Sequence, residues 1–459
     1  MKYWQGKFNE GLDRTAEQFI STFAFDKRLY KHDIMGSIAH CTMLGEQGII
    51  SEEETKIIQQ ALTQIFYNIT TGKIVIEDSE NIYNFLDGEL NSSIGEISKK
   101  LNIARTECDR AALDKRMYVK ELCSDLKEEL KKLIEKIAEI SGNCTSVILP
   151  SEFNFIKASP TTLAHTLLAY AERFMRDAAK LGDTAKNAAV MPLYSGYGTG
   201  VPYKVDRRRV AELLKFSSVT QNSLDAVTDN DYICEFLAAT ALISKHVSSF
   251  CSLLIDWCTK EVAFARLDKS VNTDSKAVPS FAEPSVLETL KNKSDKCARI
   301  CLTSAATDNG AYYSRSDYEI IETVFEAESA IKNCLGTLTA VISSVFFDEQ
   351  AMLKAATNGF TTALDCVEYL VKKGENRDTA YEIVGKLCEY CAENNKRLDT
   401  IAIDIYRTYS PLFEKDVIYA SRAKSVARLR KNEGEPGEVA VRAELRSIKR
   451  RLNKLFPEE

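Results

Sequence analysis

The nine prolines of this 459-residue chain are unevenly spread, and this constrains the fold more than any other feature of the sequence. None precedes Pro150, none lies between Pro202 and Pro279, and none lies between Pro284 and Pro411. Proline breaks helix interiors, so proline-free stretches of this length allow unusually long helices. We therefore expect a chain of long helices.

Apolar residues in one of these stretches recur at the three- and four-residue spacing of a helix face. They form a stripe interrupted only by Thr240: Phe236, Ile243, Val247, Phe250 and Leu254. A single helix over residues 223–259 would be about 55 Å long at about 1.5 Å per residue. Such a helix outruns one compact domain, which favours a bundle completed by other subunits.

Shorter helices are predicted towards both ends of the chain. Ser51 and Glu54 have the spacing of a capping box, and Gly374 stands where one helix should stop before the next. We predict an N-terminal helical domain over residues 1–107, a central long-helix bundle over residues 108–356 and a C-terminal helical domain over residues 357–459.

Charge and composition argue against a nucleic-acid-binding, secreted or membrane-spanning protein. The net charge of −6 gives no basic field for nucleic acid, and the basic helix predicted at the C-terminal end reads as a solvated face. The N-terminal stretch has no signal-peptide core. Lys245, His246 and Asp256 interrupt the most apolar window, which we expect to fall short of a membrane span. These features predict a cytoplasmic protein that binds neither membrane nor nucleic acid.

No motif predicts a metal or cofactor. The thirteen cysteines are scattered, and the pairs Cys388–Cys391 and Cys297–Cys301 lie in helical patterns without a second ligand pair, which favours buried thiols. The "GYGTG" stretch (Gly196–Gly200) has the composition of a phosphate-binding loop but follows no predicted strand, so a structural turn is favoured.

Several stretches, in the same order along the chain, resemble argininosuccinate lyase of the fumarase/aspartase superfamily. They are "YWQGKF", "FAFDKRLYKHDIMGSIAH", "NSLDAVTDNDYICEFL", "YLVKKG" with "AYEIVG", and "RKNEGEPGEV". The resemblance implies an all-α fold with a central long-helix bundle and smaller helical domains at each end. It also implies a homotetramer whose active sites form where segments of three subunits meet.

The resemblance implies a β-elimination that releases fumarate. A base removes a proton next to a carboxylate, and cationic and amide groups stabilise the resulting dianion. The family's residues for these tasks lie on three short stretches, and this chain departs from the family on each of them.

The first stretch reads His-Thr-Gly-Arg-Ser-Arg-Asn-Asp-Gln in the family and "NIARTECDR" (Asn102–Arg110) here. The resemblance assigns substrate binding to Arg105 and Thr106 and retains Asp109. The family's second arginine is Glu107, and its substrate-binding asparagine is Cys108. An anion therefore replaces a cation beside a carboxylate-binding site.

The second stretch carries the family's Thr-His pair, which binds substrate and relays protons. Phe153 and Asn154 stand at these positions, with Lys157 close by. An amide cannot exchange a proton near neutral pH, so Asn154 can bind substrate but cannot relay protons. All four histidines of the chain lie in helical patterns that favour structural roles.

The third stretch, "NTDSKAVPSFAEP" (Asn272–Pro284), corresponds to the family's catalytic loop. Ser275 stands at the catalytic serine, which the resemblance implies is the base. Lys276 follows it and is a candidate to bind substrate, while Phe281 replaces the family's lysine.

Further family positions give Thr22 and Tyr313 as substrate contacts and place Tyr83 at a histidine position. Three interpretations follow: argininosuccinate lyase itself, a lyase acting on another small molecule such as an amino-acid adduct, or a catalytically silent oligomer with a structural or regulatory role. The replaced site residues argue against the first. The second is favoured over the third because the replacements are a mixture of charged and aromatic residues, and the loop retains Ser275 and its flanking prolines.

Overall fold

The computed structural model describes residues 15, 19, 21–77, 79, 81–154, 156–274, 282–306 and 316–456. Helices dominate this part of the chain and the strands within it are short, which confirms the all-α prediction. The fold divides into two compact units. Unit 1 takes the described residues of 1–128, 179–242 and 296–332, and unit 2 takes those of 129–178, 243–295 and 333–459. The three-domain division stays a prediction.

The first half of the chain contains α1 (Phe23–Asp26), α2 (Tyr30–Glu46), α3 (Glu52–Thr70), α4 (Ile82–Ile94), α5 (Glu107–Asn143), β1 (Ile148–Phe153), β2 (Ile156–Thr162), α6 (Leu163–Ala188), β3 (Val190–Met191), α7 (Arg207–Leu213) and β4 (Ser218–Val219). Short 3-10 helices span Lys27–Leu29 and Gly95–Asn102.

The second half contains α8 (Ser223–Thr228), α9 (Asp231–Cys258), β5 (Ala265–Leu267), β6 (Thr273–Asp274), β7 (Ala282–Glu283), α10 (Ser285–Ala305), α11 (Ser316–Ser343), β8 (Val345–Phe347), α12 (Glu349–Thr357), α13 (Ala363–Lys372), α14 (Arg377–Glu393), α15 (Ile403–Tyr409), α16 (Ile418–Ser421), α17 (Ala423–Leu429) and α18 (Glu438–Leu455). Further 3-10 helices span Lys269–Val271, Leu398–Thr400 and Lys415–Val417.

The proline-free stretches do form long helices. Helix α5 has 37 residues, which is about 55 Å at about 1.5 Å per residue, and α9 and α11 have 28 residues each. The predicted capping box is present at Ser51 and Glu54. Gly374 has a φ of 101° between α13 and α14, as expected of a helix stop.

Residues 223–259 are not one helix, because the chain breaks between α8 and α9. Asp229 has an extended backbone and accepts a hydrogen bond from the Asp231 N–H, so it caps the start of α9. The Asp229 carboxylate also pairs with Arg116, and Asn230 accepts a hydrogen bond from Lys115. These bonds stabilise a corner that apolar spacing alone does not reveal.

Helix α9 is long and apolar enough to cross a membrane by length and composition, contrary to the expectation from its three charged or polar residues. However, 56 % of its most apolar stretch is buried inside the molecule. Core helices of soluble proteins have these properties as well, so α9 is weak support for a membrane span.

Each unit has its own apolar core. In unit 1, α2, α3 and α4 bury Met43, Ile58 and Leu86 in one cluster. In unit 2, α13, α14 and α15 bury Leu370, Leu387 and Tyr406 in another cluster, and the antiparallel β1–β2 hairpin packs against α12 and α17. The remaining pairs are β3–β4, which is parallel, and the antiparallel β5–β8 and β6–β7.

Candidate active site

The carboxylate of Asp109 joins the first family stretch to the glycine-rich turn. Its Oδ2 accepts hydrogen bonds from the Thr106 N–H at 3.0 Å and the Thr106 hydroxyl at 3.1 Å. Its Oδ1 accepts from the N–H groups of Ser195 at 2.8 Å and Gly196 at 2.9 Å. Asp109 is fully buried, and burial raises its pKa to about 6 against the opposing effect of these bonds.

The Asp109 bonds explain the "GYGTG" turn. The short strand β3 does precede this turn, which corrects the expectation that no strand would. Two of the backbone N–H groups at its start are nevertheless occupied by a carboxylate of the same chain. The turn is therefore a structural element, as the sequence favoured.

Ala104 bends the backbone of the first stretch into a left-handed conformation, with a φ of 61°. Glycine adopts this conformation without steric cost, and the resemblance places glycine here. The chain thus retains the bend with a residue that is strained by it. Arg105 and Thr106 follow the bend directly.

Arg105 is almost entirely buried, at 9 % exposed. Its guanidinium donates to the Ser37 hydroxyl at 2.8 Å and to the Asn102 side-chain oxygen at 3.2 Å. Burial, and next the neighbouring Arg110, lower its pKa to about 10. The Arg105 side chain therefore stabilises the first family stretch by its hydrogen bonds to Ser37 and Asn102. It is also a candidate to bind substrate.

His40 lies beneath the same segment and has a structural role, as predicted. Its Nε2 faces the Leu101 carbonyl oxygen at 3.0 Å, so Nε2 carries the hydrogen and Nδ1 accepts from the Tyr194 hydroxyl at 2.9 Å. Burial, followed by the charge of Arg105, holds the pKa of His40 well below its usual value. The other three histidines also lie in helices, as expected: His32 in α2, His165 in α6 and His246 in α9.

Thr22 and Glu107 belong to one acidic corner of unit 1. The Thr22 hydroxyl donates to Asp26 Oδ2 at 2.7 Å, and Asp26 Oδ1 accepts from the Ile82 N–H at 3.2 Å. Glu107 accepts from the Asn81 side chain at 3.2 Å. Burial raises the pKa of Asp26 to about 6, and the nearby Glu107 charge adds to this rise.

Sequence reasoning missed a buried charge cluster behind this corner. Arg110, at the family's glutamine position, forms two hydrogen bonds to Asp33 at 2.8 and 2.9 Å and two to Asp87 at 3.0 Å. Its guanidinium lies 4.9 Å from the centre of the Tyr83 ring. The sequence contained one signal for this cluster, because Arg110 and Tyr83 stand where the family has glutamine and histidine. Asp114 is buried beside them, and its pKa is well above its usual value because of burial and the Asp33 charge.

The second stretch forms the tip of the β1–β2 hairpin in unit 2. Asn154 occupies the turn with a φ of 49°, Phe153 pairs in register with Ile156, and Glu152 pairs with Lys157. Asn154 and Lys157 are exposed, and so are Phe153 at 67 % and Ile156 at 64 %. The structure thus places both predicted substrate residues of this stretch on an exposed apolar tip.

The catalytic serine position lies outside the described residues, as do Lys276, Phe281 and Tyr313. The base of its loop is described: β6 pairs with β7, with Thr273 opposite Glu283 and Asp274 opposite Ala282. Asp274, which precedes Ser275 in the sequence, is the last described residue before this gap.

Cysteines and metal-binding groups add little to the site. Cys297 and Cys301 are buried within α10, 3.9 Å apart between sulfurs, and Cys388 and Cys391 lie within α14. Across the residues that the structure describes, no group of three or more His, Cys, Asp or Glu side chains could hold a metal ion.

The predicted site residues therefore fall into three sets. Thr22, Arg105 and Thr106 lie in unit 1, Asn154 and Lys157 lie in unit 2, and Ser275, Lys276 and Tyr313 lie outside the described residues. Within unit 1, the Asp26 hydrogen bonds and the Asp109 hydrogen bonds hold Thr22 and Thr106 in place.

Comparison with known sequences identifies the family. The lyase family profile matches residues 6–302, and the argininosuccinate lyase C-terminal profile matches residues 360–427. An argininosuccinate lyase of Desulforamulus reducens is 38 % identical, with 99 % of this chain and all of the relative aligned. An argininosuccinate lyase of Clostridium botulinum is 36 % identical over all of this chain and 99 % of the relative.

Solved structures share the fold. An EDDS lyase in complex with formate matches with a TM-score of 0.83 at 21 % identity, covering 97 % of this chain and 91 % of that one. The class II fumarase of Schistosoma mansoni matches with a TM-score of 0.76 at 11 % identity, covering 92 % and 93 %. The chain belongs to the argininosuccinate lyase family of the fumarase/aspartase superfamily.

Proposed function

We propose that the protein is a lyase that performs a β-elimination, breaking a C–N or related bond, on a small-molecule substrate other than argininosuccinate. The observation that carries the proposal is the acidic corner of unit 1. Glu107 and Asp26 lie close enough for the Glu107 charge to raise the pKa of Asp26. The family has an arginine where Glu107 stands, so a carboxylate that arginine would attract is repelled here.

The hydrogen bonds around this corner favour a site whose substrate specificity has changed over a site that has lost its function. Thr22, Asp26 and Asn81 each make a defined hydrogen bond there, and Glu107 is held by Asn81. A carboxylate at the first residue of α5 is also favoured by the helix dipole. A cationic group of a substrate would fit this corner better than the carboxylate of argininosuccinate.

Ser275 is the base that we propose. It would take the proton from the carbon next to a carboxylate, and the electron pair would form a carbon–carbon double bond. The C–N bond would break with its electrons going to the nitrogen, which is already protonated in the cationic substrate and so leaves as a neutral amine. An unaided serine is too weak a base, so a nearby cation must stabilise its alkoxide. Lys276 and Lys157 are the candidates.

Assembly is part of the proposal. We propose a cytoplasmic homotetramer in which Thr22, Arg105, Thr106, Asn154, Lys157 and Tyr313 from different subunits meet around Ser275. The exposed apolar tip of the β1–β2 hairpin supports this. In a single chain the side chains of Phe153 and Ile156 leave a large apolar surface in contact with water, which a neighbouring subunit would cover. Light scattering at micromolar concentration should give four times the mass of the chain, and a monomer would contradict the proposal.

The fold neighbours support a family member with another substrate. An EDDS lyase variant was solved with bound fumarate, and a 3-carboxy-cis,cis-muconate lactonizing enzyme has the same fold with a TM-score of 0.71. Lyase and lactonizing chemistry on different compounds therefore occur on this scaffold.

A second candidate is a catalytically silent oligomer with a structural or regulatory role. Phe153 supports it, because an aromatic ring replaces the family's threonine and would fill space that a substrate needs. Ile321, which stands at a further lysine position of the family, is also apolar, and it is fully buried within unit 1.

The test is a screen of succinyl and aminoacyl adducts of amines for elimination products, followed by the ultraviolet absorbance of the new double bond. We expect turnover of at least one cationic adduct, at least a hundredfold slower turnover in Ser275→Ala, and no measurable turnover of argininosuccinate. Ser270→Ala, on a neighbouring exposed segment, is the matched control.

Argininosuccinate cleavage at the rate of an ordinary lyase would refute the altered substrate. Turnover that persists in Ser275→Ala would refute Ser275 as the base. Absence of turnover across the screen would favour the silent oligomer.

A further inference from the structure

The exposed face of the C-terminal helix α18 carries charge of a single sign. Residues 439–456 contain six cations and one carboxylate, although the whole chain has a net charge of −6. The exposed residues of this helix from position 442 onward include no acid: Arg442, Ala443, Arg446, Lys449, Arg450, Asn453 and Lys454. We term the five cations among them the basic strip.

The packing of α18 decides which way the basic strip faces. The apolar side of the helix is buried, with Val441, Ile448 and Leu452 among its residues. Next to that side, Arg451 donates a hydrogen bond to Glu172 of α6 at 2.9 Å, and both residues belong to unit 2. At 3.6 residues per turn, the five cations of the basic strip lie within about 140° on the opposite side of the helix.

Structural roles do not account for the basic strip. A solvated helix face commonly mixes both signs of charge, with ion pairs between successive turns. Only Arg442 has such a pair here, with Glu438 at 2.9 Å, and across the described residues the other four cations of the strip form no ion pair. The helix dipole favours a cation in the last turn, such as Lys454, but its effect does not extend two turns back to Arg446.

The dimensions and composition of the strip match the phosphate backbone of a duplex nucleic acid. From residue 442 to residue 454 the helix rises about 18 Å, and a duplex of that length presents about ten phosphate charges. Proteins that bind single strands stack the bases on aromatic rings, whereas residues 439–455 include no aromatic residue. Helices that bind a membrane surface insert their apolar side, which is buried here.

We propose that the basic strip of α18 is a docking surface for duplex nucleic acid, which it binds through the phosphates without reading the sequence. The inference does not depend on the proposed elimination, because no residue of the strip belongs to the predicted site. It departs from the expectation drawn from the net charge, since a charge summed over the whole chain conceals a local excess on one helix face.

The test is fluorescence anisotropy of the full-length protein with a labelled DNA duplex of mixed sequence, about 20 base pairs long, at several salt concentrations. We expect saturable binding with a micromolar Kd at about 50 mM salt, and a slope of about −4 for log K against log salt concentration. Lys449→Gln combined with Lys454→Gln should reduce the magnitude of this slope by about 2 and weaken binding at least tenfold.

The matched control is Lys56→Gln combined with Lys186→Gln, which removes two exposed lysines from unit 1 and should bind as the unaltered protein does. Arg446→Glu combined with Arg450→Glu reverses two charges of the strip and should abolish binding, with circular dichroism verifying that each variant is folded.

An absence of saturable binding at low salt, or equal binding by the strip variants and the control, would overturn the proposal. Preferential binding of a single strand of the same length, or of vesicles that contain anionic lipid, would also overturn it, because the strip would then fit another partner. The elimination screen contains no nucleic acid, so its failure leaves this result unaffected.

Discussion

Residues 102–110 and the tip of the β1–β2 hairpin both correspond to active-site stretches of the family, yet their surroundings differ completely. In the first, Arg105, Asp109 and Arg110 are buried and bonded within unit 1. In the second, Phe153 and Asn154 are exposed, and Phe153 pairs with Ile156 across the hairpin. The polar side chains of the first stretch are bonded within a single chain, whereas the apolar side chains of the tip are exposed to water in a single chain. Substitutions should therefore affect the two stretches very differently.

The largest expected effect is at Arg110. Arg110→Gln restores the family's residue but leaves Asp33 and Asp87 without their cation, so the free energy of unfolding should fall by about 3–5 kcal/mol. Denaturant titration measures this. Arg209→Gln, which removes an exposed pair with Glu46, should cost less than about 1 kcal/mol. Equal losses in the two variants would mean that the buried cluster contributes no more than a surface pair.

Asp109→Ala should be the next most damaging change. It leaves the buried N–H groups of Ser195 and Gly196 without an acceptor, and the free energy of unfolding should fall by about 2–4 kcal/mol. Asp109→Asn keeps an acceptor oxygen and should lose less. A loss below about 1 kcal/mol in the alanine variant, again by denaturant titration, would show that the turn does not depend on this carboxylate.

Asp26 should make stability depend on pH in an unusual direction. Its pKa is about 6 in the folded protein against an ordinary value of 3.8, so the folded state holds the proton more tightly than the unfolded chain. Its contribution is complete below pH 3.8 and is lost as the pH rises through 6. The stability advantage of the unaltered protein over Asp26→Asn should thus shrink by about 2 kcal/mol between pH 4 and 7.

Denaturant titrations of both proteins across this pH range measure the difference. A constant or growing difference would contradict the assignment, because it would mean that Asp26 is not protonated preferentially in the fold.

Ala104→Gly should stabilise the protein by about 0.5–1 kcal/mol, because glycine adopts the φ of 61° without strain. Thermal denaturation measures the gain. The same substitution at Ala330, within α11, should instead cost about 1 kcal/mol because that backbone is helical. A loss of stability in Ala104→Gly would show that the alanine methyl group contributes more by packing than its backbone strain costs.

The smallest effect is expected at the hairpin tip. In protein diluted until light scattering reports single chains, Phe153→Ser should change the free energy of unfolding by no more than about 0.5 kcal/mol, since the side chain is mostly exposed. A larger loss would mean that the tip is already packed within one chain, and the contrast between the two stretches would disappear.

Much of this protein follows from local sequence. Proline-free stretches and helical apolar spacing predicted long helices, and the capping box at Ser51 and the stop at Gly374 are where expected. These features depend on neighbouring residues only, which is why they can be read along the chain. The family resemblance located the site stretches and the replaced residues at positions 107, 108, 153 and 154.

Tertiary structure decided what those residues do. Asp109 contacts a turn 86 positions away, and Arg110 contacts Asp33 across 77 positions, which no local pattern specifies. The end of α8 was also missed, because the Asp229 and Asn230 side chains bond to Arg116 and Lys115 on another helix. Hydrogen bonds and burial energies depend on which distant groups the fold brings within about 3 Å, and the sequence alone does not contain those distances.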